Sequence, residues 1–467
     1  MAKNKISRGK FLSYSAMAGA ASVIGVPAIL SSCKDGGTKA GGASDTGYQP
    51  LVSGMPEVTD YTDVLKRGKA FDGRDIKAGI IGCGSRGGGA AENFLSCGDG
   101  VSIVAMADIF EDRLKSTREN IAERYNNIVA DDQIYYGFDA YQKLIDNADI
   151  DMVIITTPTL FHPIHTKYAV EKGKHVFVEK PAAIDAVGCR TMLAACKIAR
   201  AKGLSIVTGT QRHHEASYYE SYKRVREGMI GEIVSGNVYW NQGGPWFVKR
   251  KAGWSDMEYM LRDFFSWHWL CGDHIVDQCV HNVDIFTWFS QLKPVSAVGM
   301  GGRARRTTGD VYDFMSVDIV YEGGVHCHAM QRQIDDCASF VGEIIHGTKG
   351  TWNNSEKKIR NLKGEVVWDW NTDPIKAEYA ENCEDGYMLE HADLVSRIRK
   401  DDPIVMAELT VYSSAACDMG RESAYHGPEY TFEEFINSDL DYMPNPLTMG
   451  SYPGGMPQPK LPGKSNG

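Results

Sequence analysis

Three glycines directly behind a short apolar segment place the tightest limit on how this 467-residue chain can fold. Residues 78–81 are predicted to form a buried strand, and Gly82, Gly84 and Gly87 follow it and open a helix. The first glycine permits a tight turn, the second lets the backbone approach a pyrophosphate, and the third allows close helix–strand packing. Amide groups at the helix N-terminus face the anion. The pattern predicts a dinucleotide-binding turn, with a purely structural glycine-rich turn as the alternative.

An acidic residue in the next strand narrows the choice of cofactor. Asp108 ends a strand predicted over residues 101–107, where an acid binds the ribose 2′-hydroxyl. A carboxylate there repels a 2′-phosphate, so we expect the cofactor to be NAD rather than NADP. Ser85 and Arg86, between the second and third glycines, complete the predicted cofactor loop.

The spacing of apolar segments changes near residue 209 and predicts two domains. Between residues 76 and 208, short strands alternate with helices, which is typical of a parallel sheet with helices on both faces. From residue 209 to 430, longer strands surround one helix predicted over residues 273–289. We therefore expect an α/β Rossmann domain, then an α+β domain with a large, mainly antiparallel sheet. Residues 431–467 are rich in Pro and Gly and are predicted to be a surface tail.

The first 33 residues are predicted to be a signal peptide rather than part of the fold. An uncharged, apolar stretch over residues 14–30 follows a basic segment and is short for a membrane span. Residues 7–12 resemble a twin-arginine export motif, but Gly9 replaces the second arginine, so the export route stays open. The basic residues are Lys3, Lys5, Arg8 and Lys10.

The sequence Leu30-Ser31-Ser32-Cys33 resembles a bacterial lipobox, in which the cysteine is acylated. The alternative is a signal peptide without lipidation and a cysteine there by chance. Residues 34–75 are predicted to be a flexible tether and lead-in, the first part by its Gly, Ala and Ser content. We expect an exported protein of the bacterial cell envelope or periplasm, held to the membrane only through lipid on Cys33.

Charge and cysteine content limit the partners. The net charge is −10 and no run of Lys and Arg is present, so we expect no nucleic-acid binding. A neutral sugar is not repelled by this charge. Eleven cysteines form no CxxC pair; we expect buried single thiols, with disulfides as the alternative in an envelope compartment.

Two motifs downstream resemble the Gfo/Idh/MocA oxidoreductase family. The first is Thr-Thr-Pro-Thr-Leu-Phe-His at residues 156–162, and the second is Gly-Lys-His-Val-Phe-Val-Glu-Lys-Pro at residues 173–181. The resemblance covers about residues 76–435. It implies that Thr157, Pro158 and His162 border the nicotinamide ribose, that Glu179 binds that ribose, and that Lys180 lies where nicotinamide meets substrate.

A second group of polar residues lies at 272–284. On one helix at about 100° per residue, these side chains share one stripe opposite an apolar face. The family resemblance implies that Asp277 orients substrate and that His281 is the general acid or base. A solvated polar face is one alternative. A Zn²⁺ or Mn²⁺ site is the other, although we expect no metal. The stripe comprises Asp273, His274, Asp277, His281 and Asp284, and His268 could join a metal site.

An aromatic segment before this helix suggests a sugar pocket, because aromatic faces stack on the C–H faces of sugars. Phe264, Phe265 and Trp269 are expected to be core residues instead. The predicted substrate-binding residues are Arg212, Trp254, Arg262, Trp267, His274 and Asp277.

Three functions are consistent with these sequence features. The first is hydride transfer between NAD and a ring hydroxyl of a sugar, glycoside or inositol-type polyol, by a homo-oligomeric enzyme with tightly bound NAD. The second is an NAD-dependent glycosidase that oxidises the sugar transiently, eliminates the aglycone, adds water and reduces again. The third is a sugar-binding lipoprotein without activity. The intact glycine turn, Lys180 and His281 argue against the third.

The lipobox hypothesis predicts that Cys33→Ser releases the protein into the soluble fraction, because acylation needs the thiol. Membrane fractionation and the mass of the mature N-terminus would measure this. Retention of the variant in the membrane through its N-terminus would contradict the hypothesis.

Overall fold

The computed structural model describes Met55 and residues 59–463. The predicted signal peptide, the lipobox with Cys33 and most of the tether lie outside the described residues. In the part of the chain that is described, no helix combines the length and apolar character needed to cross a membrane.

The first sheet has six parallel strands in the order β3-β2-β1-β4-β5-β6. Its central strands are apolar and buried apart from Lys77 near the start of β1, as expected where helices cover both faces. The strands are β1 Ile76–Ile81, β2 Val101–Asp108, β3 Ile134–Tyr136, β4 Met152–Ile155, β5 His175–Val178 and β6 Ile206–Thr208.

The second sheet has nine strands in the order β14-β13-β12-β11-β7-β10-β9-β8-β15, and only β7 and β10 pair in parallel. Burial alternates along β10, so one face packs on helices and the other is open. The predicted Rossmann domain followed by an α+β domain with a mainly antiparallel sheet is confirmed. The strands are β7 Ile233–Gln242, β8 Pro294–Gly302, β9 Phe314–Tyr321, β10 Val325–Gln333, β11 Phe340–Gly347, β12 Gly350–Asn353, β13 Lys358–Asn361, β14 Val366–Asp369 and β15 Tyr430–Thr431.

The α-helices lie between these strands. In the first half they are α1 Thr62–Arg67, α2 Ser85–Ser96, α3 Glu111–Tyr125, α4 Ala140–Asn147, α5 His162–Glu171 and α6 Ala186–Lys202. After β6 they are α7 Ala216–Arg226, α8 Asp256–Arg262, α9 His268–Cys271, α10 His274–Asp277, α11 Val280–Ser290, α12 Gly386–Lys400, α13 Ala407–His426 and α14 Phe432–Asn437.

The chain returns to the first sheet after β14, which the sequence did not indicate. Helix α12 packs on α2, β5 and β6, although the segment was assigned to the second domain. Ile206 then pairs with Val405 beside β6. Helix α13 contacts β8 and β9 of one sheet and α6 and β6 of the other. Its approach to β8 is so close that a Cβ on Gly299 would lie 2.0 Å from the Gly420 carbonyl oxygen.

The lead-in and the tail are more structured than predicted. Tyr61, Val64 and Leu65, in or beside α1, are buried, so the chain is packed well before Ile76. The tail first forms β15 and α14, then binds Val187 and Asp185 at the start of α6 through Leu440 and Tyr442, and reaches Met257 of the second domain at Gly450. Nine of the ten cysteines among the described residues are buried, and all ten are free thiols.

Candidate active site

The glycine turn joins β1 to α2 at the carboxyl edge of the first sheet. Gly82 has a φ of +92°, and a Cβ there would lie 2.8 Å from the Thr156 carbonyl carbon. A Cβ on Gly87 would lie 2.1 Å from the Gly82 carbonyl oxygen. A Cβ on Gly84 would meet nothing closer than 3.8 Å, so this glycine faces open space at the N-terminus of α2. The turn therefore forms a cradle that fits a pyrophosphate.

Asp108 both fixes this turn and faces the same space. Its carboxylate accepts hydrogen bonds from the Cys83 amide at 2.6 Å and the Phe110 amide at 2.8 Å. Burial raises the pKa of Asp108, although the amide hydrogen bonds oppose that effect. Asp108 is thus placed at the end of β2, where the ribose of a dinucleotide binds.

One cavity of about 1040 Å³ connects the turn with the second domain. It runs along the carboxyl ends of the parallel strands, where ligands of open α/β sheets bind. The predicted cofactor residues on its wall are Gly82, Gly84, Ser85, Arg86, Asp108, Thr157, Pro158, His162, Glu179 and Lys180. Gly87 lies behind the turn.

His162 connects two loops that border the cavity. Its Nδ1 lies 2.8 Å from the Pro181 carbonyl oxygen, and its Nε2 lies 2.7 Å from the Thr157 carbonyl oxygen. Burial lowers the pKa of His162, opposed by these two contacts. The imidazole holds the loop after β4 against the loop after β5.

Arg86 lies between two carboxylates from different parts of the fold. Its Nε donates to Glu179, and its Nη2 lies 3.6 Å from Oε1 of Glu390 on α12. The Tyr387 ring covers the guanidinium, with the ring centroid 4.8 Å from Cζ. Glu390 is fully buried and its oxygens accept no hydrogen bond from any described residue. Burial, reinforced by Glu179 and opposed by Arg86, raises the pKa of Glu390 well above its usual range, which favours the neutral form beside the charged pair.

Lys180 reaches from the end of β5 into the second domain. Its ammonium donates to the Asp277 carbonyl oxygen, and Nζ lies 3.6 Å from the Asp277 carboxylate. Burial raises the pKa of Asp277, opposed by Lys180. His281 lines the same part of the cavity and stacks on Trp240, with ring centroids 5.6 Å apart and planes 20° apart. Two predicted catalytic groups of the second domain therefore meet Lys180 of the first.

The prediction of one helix over residues 273–289 is wrong. Helix α10 ends at Asp277, Gln278 has φ −112° and ψ −52°, and α11 begins at Val280. In a continuous helix the His281 amide would donate to the Asp277 carbonyl. It donates instead to the Gln278 carbonyl at 3.2 Å, which leaves the Asp277 carbonyl free for Lys180.

Because of this break, the five polar side chains do not share one stripe. Asp273 is buried and accepts from the Tyr425 hydroxyl at 2.6 Å. His274 Nε2 lies 3.1 Å from the Phe265 carbonyl oxygen, and Asp284 Oδ2 lies 2.6 Å from His213 Nε2. Among the described residues, no three His, Cys, Asp or Glu side chains are grouped as metal ligands.

Burial also changes the electrostatics of His281. With help from Lys180 and Arg212, it lowers the pKa of His281 well below 6.5. The ring is therefore neutral at pH 7 and available as a proton acceptor.

Only part of the predicted substrate set lines the cavity. Arg262 does, and it pairs with Asp112 at 2.9 Å. Arg212 lies beneath the cavity wall and donates to buried Glu343, which also accepts from Asn282 at 2.6 Å. Arg212 thus supports the start of α11 rather than the cavity surface. Trp254, Trp267 and His274 do not line the cavity either, whereas Asp277 does.

Several residues of the cavity wall were missed or assigned elsewhere. Phe264 and Phe265, expected in the core, face the cavity. The sequence carried no motif for four of the others, which belong to α3, a strand end, a loop and α12 and meet only in the folded chain, whereas Gln278 lies within the segment 272–284 and was not assigned a role. The others are Arg113, Trp240, Trp246, Gln278 and Tyr387.

Comparisons with known proteins agree with this arrangement. Residues 76–207 match the oxidoreductase family with an NAD-binding Rossmann fold, and residues 219–353 match the GFO/IDH/MocA C-terminal domain. The chain belongs to the Gfo/Idh/MocA oxidoreductase family, and the predicted cofactor, NAD, is confirmed.

Individual relatives are distant. A glycosyl hydrolase family 109 protein of Solibacter usitatus is 27% identical over 194 residues, covering 40% of this chain and 43% of the relative. An inositol 2-dehydrogenase of Salmonella typhimurium is 27% identical over 200 residues, covering 42% of this chain and 55% of the relative. The chain thus spans about half the length of these relatives.

A solved structure shows the same fold. The scyllo-inositol dehydrogenase of Lactobacillus casei with bound NAD(H) and scyllo-inositol superposes with a TM-score of 0.58 at 18% identity. The match covers 77% of this chain and 99% of that chain.

The position of Asp108 predicts that Asp108→Ala weakens NAD binding and narrows the difference in affinity between NAD and NADP. The substitution removes the acceptor for a ribose hydroxyl and the charge that repels a 2′-phosphate. Titration of both cofactors into wild type and variant would measure the two affinities. A wild-type protein that prefers NADP would contradict this assignment of Asp108.

The pKa directions at the site predict an unusual pH profile. Because the pKa of His281 is lowered, the ring stays neutral as the pH falls through about 6.5, and titration of His281 should cause no decline in kcat/KM there. Because the pKa of Asp277 is raised, its carboxylate is protonated at a higher pH than that of an ordinary aspartate. This protonation produces the acidic limb of the kcat/KM profile. Asp277→Asn should remove that limb, whereas His281→Gln should lower the plateau without moving it. A limb near pH 6.5 that His281→Gln abolishes would contradict these directions.

Proposed function

We propose that the protein transfers hydride between NAD and a ring hydroxyl of a sugar, glycoside or inositol-type polyol. The observation that carries this proposal is the meeting of Lys180, Asp277 and His281 in the cavity that also contains the glycine turn. Members named as inositol 2-dehydrogenases support a polyol substrate.

The residues at this place fit the proton chemistry of such an oxidation. Bound NAD supplies the hydride acceptor or donor. The neutral imidazole of His281 receives the proton that the hydroxyl loses when its carbon becomes a carbonyl carbon. The Lys180 ammonium donates a hydrogen bond to the same oxygen and stabilises negative charge on it. The Asp277 carboxylate accepts a hydrogen bond from a neighbouring hydroxyl and orients the ring.

NAD-dependent glycoside cleavage by transient oxidation, elimination, hydration and reduction is the second candidate. Five family 109 glycosyl hydrolases among the relatives favour it. The two reactions share the oxidation and differ in their products. Incubating the purified protein with free sugars and glycosides, and identifying products by mass, would separate net NADH formation from release of the aglycone.

The proposed location of the protein is the cell envelope. The lipobox-like sequence at Cys33 supports attachment to the cell envelope, where a soluble NAD pool is absent and NAD would have to stay bound.

The open face of the second sheet exposes large apolar side chains that support assembly with a second copy. They include Val298, Met300, Phe314 and Met330.

Lys180→Ala and His281→Ala should each lower kcat by about a hundred- to ten-thousand-fold, because each removes a group that moves or balances the hydroxyl proton. NAD should still bind through the glycine turn, as isothermal titration would show. Lys77→Ala and His326→Ala are matched controls, since both side chains are exposed and lie away from the cavity. A folded, NAD-loaded double variant of Lys180 and His281 with near-wild-type activity would refute the proposed site.

A further inference from the structure

A tryptophan at the mouth of the cavity has no role in the reaction described above. Trp246 lies in the loop between β7 and α8 and lines the same cavity as Lys180 and His281. It is nevertheless 54% exposed. An indole in this position loses contact with water as soon as a flat or ring-shaped ligand covers it.

The loop is held at two points on either side of Trp246. The Gly244 amide donates to the Asp335 carboxylate at 2.8 Å, and the Val248 amide donates to the Asp263 carboxylate at 2.6 Å. Asp263 is fully buried. Because each anchor lies two residues from Trp246, the backbone that carries the indole is fixed before any ligand arrives.

Only part of the indole is covered by protein. Phe265 stacks against it with ring centroids 5.8 Å apart and planes 19° apart, and Phe264 meets it at 62° with centroids 5.9 Å apart. Both phenylalanines also line the cavity. The result is an aromatic surface that is supported from behind and open in front, as in pockets that receive rings.

A second tryptophan lies deeper. Trp240, near the end of β7, stacks on His281. Both indoles line the one cavity, Trp240 at the acid–base group and Trp246 on an exposed part of the wall.

We propose that Trp246 forms a binding subsite for a second pyranose ring, so that the substrate is a disaccharide or longer glycoside. Its inner ring, the one deeper in the cavity, lies at His281, and its outer ring lies at Trp246. This rests on the proposed function for the identity of the inner site. The outer ring would stack its C–H face on the open face of the indole. Such a contact contributes mainly to binding, not to the acid–base step.

The test measures binding of α- and β-linked pyranosyl disaccharides, and of the methyl glycosides of their non-reducing sugars, to the NAD-loaded protein by calorimetry. For the disaccharide that wild type binds most tightly, Trp246→Ala should raise Kd about tenfold or more. The Kd of the matching methyl glycoside should change less than twofold. Trp246→Phe should restore most of the affinity, because it keeps an aromatic face.

Phe247→Ala is the matched control. Phe247 is the next residue and is 47% exposed, but it does not line the cavity, so its loss should leave both affinities unchanged. Equal losses for disaccharide and methyl glycoside in Trp246→Ala would overturn the subsite. So would wild-type protein that binds disaccharides no more tightly than methyl glycosides, or a variant whose main defect is weaker NAD binding. Because binding needs no turnover, absence of hydride transfer would refute the proposed function without deciding this inference.

Discussion

The hydrogen bond from Lys180 to the Asp277 carbonyl is the contact on which the rest of the site depends. Lys180 lies in the loop directly after β5 of the first sheet, and Asp277 ends a one-turn helix of the second domain. That carbonyl is free only because the helix breaks at Gln278. A continuous helix would use it internally. The break therefore joins the domains and also turns His281 towards the same space.

Charge around this contact is balanced by keeping some groups neutral. Arg86 pairs with Glu179 and Lys180 pairs with Asp277, while Glu390 and His281 lie close by. A second buried anion or cation would be costly without a partner. Burial shifts the pKa values of Glu390 and His281 in opposite directions, and both shifts favour the uncharged form. The cavity thus offers two ion pairs and one neutral base.

The sequence predicted what is encoded locally and failed where distant segments meet. The strand–turn–helix around Gly82 and the alternation of strands and helices follow from short-range patterns, so the Rossmann domain could be predicted. The stripe over residues 273–284 assumed ideal helix geometry, which the break at Gln278 removes. Helix α12 carries no signal for its return to the first sheet. Trp240 and Trp246 enter the site only through packing of β7 and its loop on α11 and Phe265.

The burial of His281 bears on which of the two reactions suits the site. Its residue exposure is 6%, and a lowered pKa means that a proton taken from a hydroxyl is held weakly. A dehydrogenase with net turnover must pass that proton to solvent each cycle. In a redox-neutral cycle the same proton returns to the same oxygen when hydride is given back, and no exit path is needed. Because His281 lines the cavity and gives up its proton readily, the site suits either cycle, and the two reactions differ in whether NAD is restored within the turnover. Restoring NAD within the turnover is what an enzyme outside the cytoplasm would need if the lipobox hypothesis is right.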